Sequence, residues 1–126
     1  ESYQSVSADE GKTWTAVSKT GFQGHCPRLF QLSGGIMCVY RDMDPSRPGI
    51  GCSVTYDDGQ SWHYVAALYE SPGAYSGWAS ACGYPAVVRL ADEQISLDVV
   101  CWKTTIVQWL EKEFDRLEEV GIRIDN

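Results

Sequence analysis

The same eight-residue phrase occurs twice in this chain, and each copy ends in tryptophan. The copies are residues 7–14 (SADEGKTW) and 55–62 (TYDDGQSW), and both fit the pattern [Ser/Thr]-x-Asp-x-Gly-x-[Thr/Ser]-Trp. Their aspartates, Asp9 and Asp57, lie 48 residues apart. A repeat of this period is typical of stacked β-sheet units, each of which needs neighbours to bury its apolar faces.

Each repeated position of the phrase suits a tight turn that leads into a strand. The Ser or Thr and the Asp can hydrogen-bond to backbone groups inside the turn, and the glycine accepts a backbone conformation that a side chain resists. The tryptophan is large enough to pack between neighbouring sheets. We therefore assign structural roles, rather than catalytic or metal-binding ones, to Ser7, Asp9, Gly11, Thr13, Trp14, Thr55, Asp57, Gly59, Ser61 and Trp62.

The phrase resembles the Asp-box, or bacterial neuraminidase repeat, of sialidases and other β-propellers. The resemblance covers residues 1–110 and implies that each box is the turn between the third and fourth strands of a four-stranded blade. It also implies an all-β fold, namely part of a six-bladed sialidase-type propeller that amounts to about two blade equivalents.

A second repeat, out of step with the boxes, predicts hairpins at residues 26–40 and 84–102, where apolar runs flank short turns. Together with the boxes it predicts outer strands near 1–17, a full blade at 22–68 and the inner hairpin of a third blade at 84–110. Beyond these blades, residues 111–126 are predicted to form a short C-terminal amphipathic helix at 111–120 and a tail, because apolar residues recur there every three or four positions.

About two blade equivalents do not close a propeller, which needs roughly four to eight blades. Open blade faces would expose apolar side chains to water. We therefore expect the chain to be either part of a longer propeller or a homo-oligomer in which neighbouring chains complete each other's blades.

Composition restricts the partners. A formal net charge of −7 argues against binding to nucleic acid or to an anionic membrane, because both would repel the chain. The five cysteines lack the CxxC spacing of metal sites, and we expect buried, reduced thiols. No metal or other cofactor is predicted, and the expected ligand is a glycan or an acidic sugar.

The alternation of turns along a blade places the loop at 41–49 and the blade connections at 18–26 and 70–83 on one rim, opposite the boxes. Polar residues gather on that rim. Asp42 and Asp44 could act as an acid pair or hold a cation, but the preferred interpretation is a solvated turn next to Arg41 and Arg47. We predict that the rim supplies the substrate-binding residues His25, Arg28, Arg47, Glu70 and Tyr75.

Sialidases often carry an arginine, an Asp-box and then a hairpin that begins with a nucleophilic tyrosine. The order of Arg41, the second box and Tyr84 is similar, so the resemblance implies that Tyr84 is the nucleophile and that Arg41 binds the substrate carboxylate. Arg41 is preferred to Arg47, which lies in mid-loop between prolines. A neutral tyrosine avoids the repulsion that a carboxylate nucleophile would meet at an acidic sugar, and arginine offers a permanently charged planar fork.

The expected function is therefore that of a sialidase-like glycoside hydrolase, or a part of one, acting on sialic acid or a related acidic sugar. The alternative is a non-catalytic Asp-box propeller module used for carbohydrate binding or oligomeric assembly.

Overall fold

The computed structural model describes residues 1–32, 34–70, 82–89, 95–101 and 106–108, and every regular element among them is a β-strand. The prediction of an all-β fold is confirmed for these residues. The predicted helix at 111–120 and the tail that follows it lie outside them. The strands are β1 Tyr3–Gln4, β2 Ser18–Lys19, β3 Gly24–Leu32, β4 Gly35–Asp42, β5 Gly49–Thr55, β6 His63–Glu70, β7 Cys82–Arg89, β8 Ile95–Cys101 and β9 Ile106–Gln108.

The strands form three antiparallel sheets, and in each sheet the order in space follows the order in the chain. The first sheet contains β1 and β2, the central sheet β3 to β6, and the third sheet β7 to β9. The strand β7 packs against β3, β4 and β5 of the central sheet. The hairpin predicted at 84–110 is therefore represented by three strands, of which the last is short.

Both copies of the repeated phrase form the same turn. The first joins β1 to β2 and the second joins β5 to β6. In the second, Thr55 Oγ1 accepts a hydrogen bond from the Gly59 amide (2.8 Å) and donates one to Asp57 Oδ1 (2.8 Å). The Asp57 carboxylate also accepts bonds from the Ser61 amide (2.8 Å) and hydroxyl (2.6 Å).

The first turn repeats these bonds with Ser7, Asp9, Gly11 and Thr13, at distances of 2.6–2.8 Å. Bonds from the Thr13 hydroxyl and amide lower the pKa of Asp9 to about 2. The equivalent bonds from Ser61 lower the pKa of Asp57 to about 2. Each carboxylate is therefore ionised and fully engaged by its own turn, as the structural assignment requires.

The two box tryptophans differ in their surroundings. Trp62 packs edge-on against Phe22, with 5.8 Å between ring centroids, and its indole N–H donates to Gln4 Oε1 at 2.7 Å. Gln4 also donates to the Gly59 carbonyl, so the first sheet is bonded to the second box. Trp14 is 63% exposed and donates only to the Gly11 carbonyl of its own turn. The expectation that both tryptophans pack between sheets holds for Trp62 and is wrong for Trp14, because no described sheet covers Trp14.

Each face of the central sheet carries a cluster of buried apolar side chains. On one face Tyr40 is fully buried, stacks on Phe22 with 4.4 Å between ring centroids, and shares a 2.7 Å hydrogen bond with the Ser53 hydroxyl. The other face carries the larger cluster, against which Val87 of β7 packs. That cluster contains Leu32, Met37, Val39, Ile50, Cys52, Val54 and Leu68.

Two cysteines are part of this packing. Cys38 and Cys52 are buried free thiols, and burial raises the pKa of Cys38 to about 12 and that of Cys52 further. Both therefore stay protonated and pack as small apolar side chains.

Candidate functional site

One rim of the central sheet is defined by a row of residues that pair across all four strands. Gly24 lies opposite Asp42, Asp42 opposite Gly49, and Gly49 opposite Glu70. The second box lies at the other end of the same strands, after Thr55. The rim with the polar residues (the polar rim) and the rim with the second box therefore lie at opposite ends of this sheet, as inferred from the sequence.

Both β3 and β7 contain a bulge at this rim. The pairing of β3 with β4 shifts between His25 and Arg28, and the pairing of β7 with β8 shifts between Gly83 and Ala86. A proline lies inside each bulge, and the residue before it has a positive φ: 52° for Cys26 and 52° for Tyr84. The residue before proline normally adopts an extended conformation, and non-glycine residues rarely have positive φ. Backbone conformations of this kind cluster at functional sites.

The bulge of β7 turns Tyr84 towards the end of β4. Tyr84 is 64% exposed, and the guanidinium carbon of Arg41 lies 5.6 Å from the centroid of its ring. This is within the range of a cation–π contact. His25 lies directly opposite Arg41 in the pairing of β3 with β4. The structure thus brings together three of the predicted site residues from three strands and two sheets.

Gly83 creates the space for this contact. It is buried, and a Cβ atom built on it would overlap the Arg41 guanidinium, at 2.6 Å from Nε and 2.8 Å from Cζ. Only glycine lets the arginine pass so close to the backbone of β7. Gly83 was not predicted from the sequence, although its place directly before Tyr84 and Pro85 was a possible signal.

The guanidinium of Arg47 contacts different groups from that of Arg41. Its Nε lies 3.3 Å from Asp42 Oδ2, its Nη2 lies 3.3 Å from Asp44 Oδ2, and its guanidinium stacks over the Tyr64 ring at 4.0 Å. Two carboxylates therefore balance the charge of Arg47, and a ring covers one of its faces. In this position it fixes the loop between β4 and β5.

The interpretation of Asp42 as part of a solvated turn is wrong. Its side chain is 1% exposed, and burial raises its pKa although the Asp44 amide donates a hydrogen bond to it and Arg47 lies beside it. The pKa of Asp44 is lowered instead, chiefly by the Ser46 hydroxyl. The loop folds inward over Asp42 because an arginine from the same loop compensates its charge.

A second concave region lies beside Arg47, along the outer strand β6. This cleft has a volume of about 490 Å³ and is lined by Arg47, Tyr64 and Glu70 among others. The predicted substrate-binding residues are thus divided between two places on the rim. Arg28 lies exposed on β3, opposite Val39, and Tyr75 lies outside the described residues.

Among the described residues, no three His, Cys, Asp or Glu side chains are grouped so that they could hold a metal ion. The same part of the chain has no helix with the length and apolarity needed to cross a membrane. Comparison with protein-family models, curated proteins and solved structures gives no match.

Proposed function

We propose that this chain is part of a sialidase-like β-propeller that binds terminal sialic acid or a related acidic sugar and, as an assembled protein, hydrolyses its glycosidic bond. The observation that carries the proposal is the contact between Arg41 and Tyr84. These residues lie 43 positions apart and on different sheets, yet the polar rim brings them together at an exposed position.

The chemistry of this pair suits an acidic sugar. A guanidinium binds a carboxylate through two parallel hydrogen bonds and keeps its charge at any physiological pH. A tyrosine beside it avoids the repulsion that a carboxylate nucleophile would meet at the same acid group. Once a base removes its proton, its oxygen can attack the anomeric carbon and displace the aglycone oxygen, which takes up a proton as it leaves. Water then cleaves the tyrosyl–sugar bond, which releases the sugar and restores the phenol. In the proposed site, Arg41 orients the substrate and Tyr84 is the nucleophile.

The propeller assignment is supported by the central sheet and by the boxes. The central sheet is an antiparallel four-stranded meander, which is the form of a propeller blade. The two boxes make the same hydrogen bonds, the third sheet packs on one face of the central sheet, and Gln4 of the first sheet is hydrogen-bonded to the second box. We infer that the three sheets are successive blades.

A specific observation favours the alternative, a non-catalytic carbohydrate-binding module. Arg47 is the other arginine predicted for the site. The carboxylates of Asp42 and Asp44 already compensate its charge, so it is poorly placed to bind a substrate anion. Under this alternative, the exposed ring of Tyr84 stacks on a sugar face while Arg41 holds the acid group.

The test of catalysis is the hydrolysis of a fluorogenic sialoside by the full chain and by Tyr84→Phe. Loss of the nucleophilic oxygen is expected to lower kcat/KM by on the order of 10³-fold or more. The matched control is Tyr56→Phe, an exposed tyrosine in the second box on the opposite rim, for which we expect unchanged turnover. Equal turnover by wild type and Tyr84→Phe would contradict the catalytic role.

The same variants separate the two functions. If the wild type binds free sialic acid without hydrolysing the sialoside, and Arg41→Gln abolishes binding while Tyr84→Phe retains it, the binding module is supported. If the wild type neither binds nor hydrolyses at millimolar sugar, both proposals fail.

A further inference from the structure

The junction between the central and third sheets shows how two units of this repeat pack. Val87 of β7 packs against the core cluster of the central sheet, to which Phe30 of β3 also contributes. The next residue, Val88, points to the opposite face of β7, because successive side chains of a strand alternate. One face of the third sheet is therefore covered by the central sheet, and the face carrying Val88 is turned away from it.

The bulges give the alignment between the two hairpins. Pro27 and Pro85 occupy the same position in their bulges. Counting on from them, Leu29 corresponds to Val87, and Phe30 corresponds to Val88. In the observed junction, Val87 of the third sheet meets the face of the central sheet that carries Phe30. Leu29 is the counterpart of Val87, and Val88 is the counterpart of Phe30. Contact between the side of one hairpin that carries Leu29 and the side of another that carries Val88 would therefore repeat this junction.

Both of these faces are open in the structure. Leu29 is 67% exposed and Val88 is 55% exposed, although each belongs to a strand whose other face is covered. Beside Leu29 runs an apolar groove of about 840 Å³, whose lining includes Phe22, Ile36 and Trp14. We name these surfaces the Leu29 face, formed by Leu29 and Ile36 on the hairpin β3–β4, and the Val88 face, formed by Ala86 and Val88 on β7. Exposed apolar side chains that adjoin an apolar groove are candidates for contact with another chain.

We propose that the Leu29 face of one chain stacks on the Val88 face of a second copy of the same chain. The occupant is a second copy because the interior junction between β3 and β7 is already the same contact, made by the same repeat. The two faces differ, so the contact is head-to-tail, and it continues into a ring or a filament unless one face is blocked. This inference rests on the repeat and on the two exposed faces, and it does not depend on sugar binding or hydrolysis.

Blocking each face separately tests this arrangement. The chain mass is 14.0 kDa, and we expect wild type to sediment at twice this mass or more at micromolar concentration. Leu29→Glu and Val88→Glu each remove one of the two faces from every copy. A charge placed in an apolar contact is expected to raise the dissociation constant by about 100-fold or more. Each variant alone should therefore be monomeric.

Mixing the two variants distinguishes a head-to-tail contact from other modes of association. A Leu29→Glu chain retains its Val88 face, and a Val88→Glu chain retains its Leu29 face, so the equimolar mixture should form a dimer that cannot grow further. The control is Val17→Glu, an exposed valine outside both faces, which should associate like wild type. Formation of the mixed dimer also shows that both variants fold. A monomeric wild type, a mixture that stays monomeric, or dissociation by Val17→Glu would overturn the proposal.

Discussion

Replacing Gly83 with valine is expected to abolish sugar binding and turnover while leaving the sheets folded. The new side chain would occupy the space that the Arg41 guanidinium now fills. The obstructed group is the end of a flexible side chain, so the arginine moves and the backbone does not. A displacement of about 1 Å in a positioning group can reduce activity by about 100-fold, and we expect at least this loss in kcat/KM or in sugar affinity.

The control for this variant is Ala16→Val, which adds side-chain volume at an exposed position outside the site and outside both proposed contact faces. It should retain sugar affinity within about twofold of wild type. Circular dichroism should show the same strand content for both variants. If Gly83→Val binds and turns over the sugar like wild type, the close passage of Arg41 over β7 has no functional role.

The second large effect is expected at Tyr40, in the core of the central sheet. Tyr40→Ala should lower the free energy of unfolding by about 3–5 kcal/mol, because it removes a fully buried ring and leaves a cavity. The surroundings cannot collapse easily into this cavity. Gly24 and Gly51, which lie against the ring, have no side chains that could fill it. Urea denaturation of the full chain measures the change.

Two further variants help to interpret this loss: one removes only the hydrogen bond of Tyr40, and the other is a control at an exposed residue. Tyr40→Phe retains the stacking on Phe22 but leaves the Ser53 hydroxyl without its 2.7 Å partner, and we expect a cost of about 1–3 kcal/mol. Val17→Ala, at an exposed residue outside both proposed contact faces, should change stability by only about 0.5 kcal/mol or less. A smaller loss for Tyr40→Ala than for Tyr40→Phe would contradict the assignment of Tyr40 as the centre of this face.

The box turns were predictable from sequence because their interactions are local. Asp57 bonds to residues two and four positions away, and Asp9 does the same, so eight residues contain nearly all the information. The burial of the tryptophans was not predictable in this way. Trp14 and Trp62 end the same phrase, yet only Trp62 is covered, because its neighbours Gln4 and Phe22 come from distant parts of the chain.

The residues of the candidate site were suggested by the resemblance to sialidases and not by local interactions. The order of Arg41, the second box and Tyr84 suggested Arg41 and Tyr84 as site residues. Because successive turns of a blade alternate between its two ends, the loop at 41–49 was expected on the rim opposite the boxes. The space provided by Gly83 depends on how the third sheet stacks on the central one, which no local pattern encodes. The pairing of Arg47 with Asp42 was missed because a charged loop between prolines looks solvated until its fold is known.

Arg41 and Tyr84 are proposed to form one binding site for an acidic sugar. The most direct measurement is a crystal structure of the full chain with sialic acid bound. We expect the sugar carboxylate within 3.5 Å of the Arg41 guanidinium, a hydrogen-bond distance, and the anomeric carbon facing the Tyr84 hydroxyl. A sugar bound in the cleft beside Arg47 and Tyr64, with Arg41 and Tyr84 untouched, would contradict the claim.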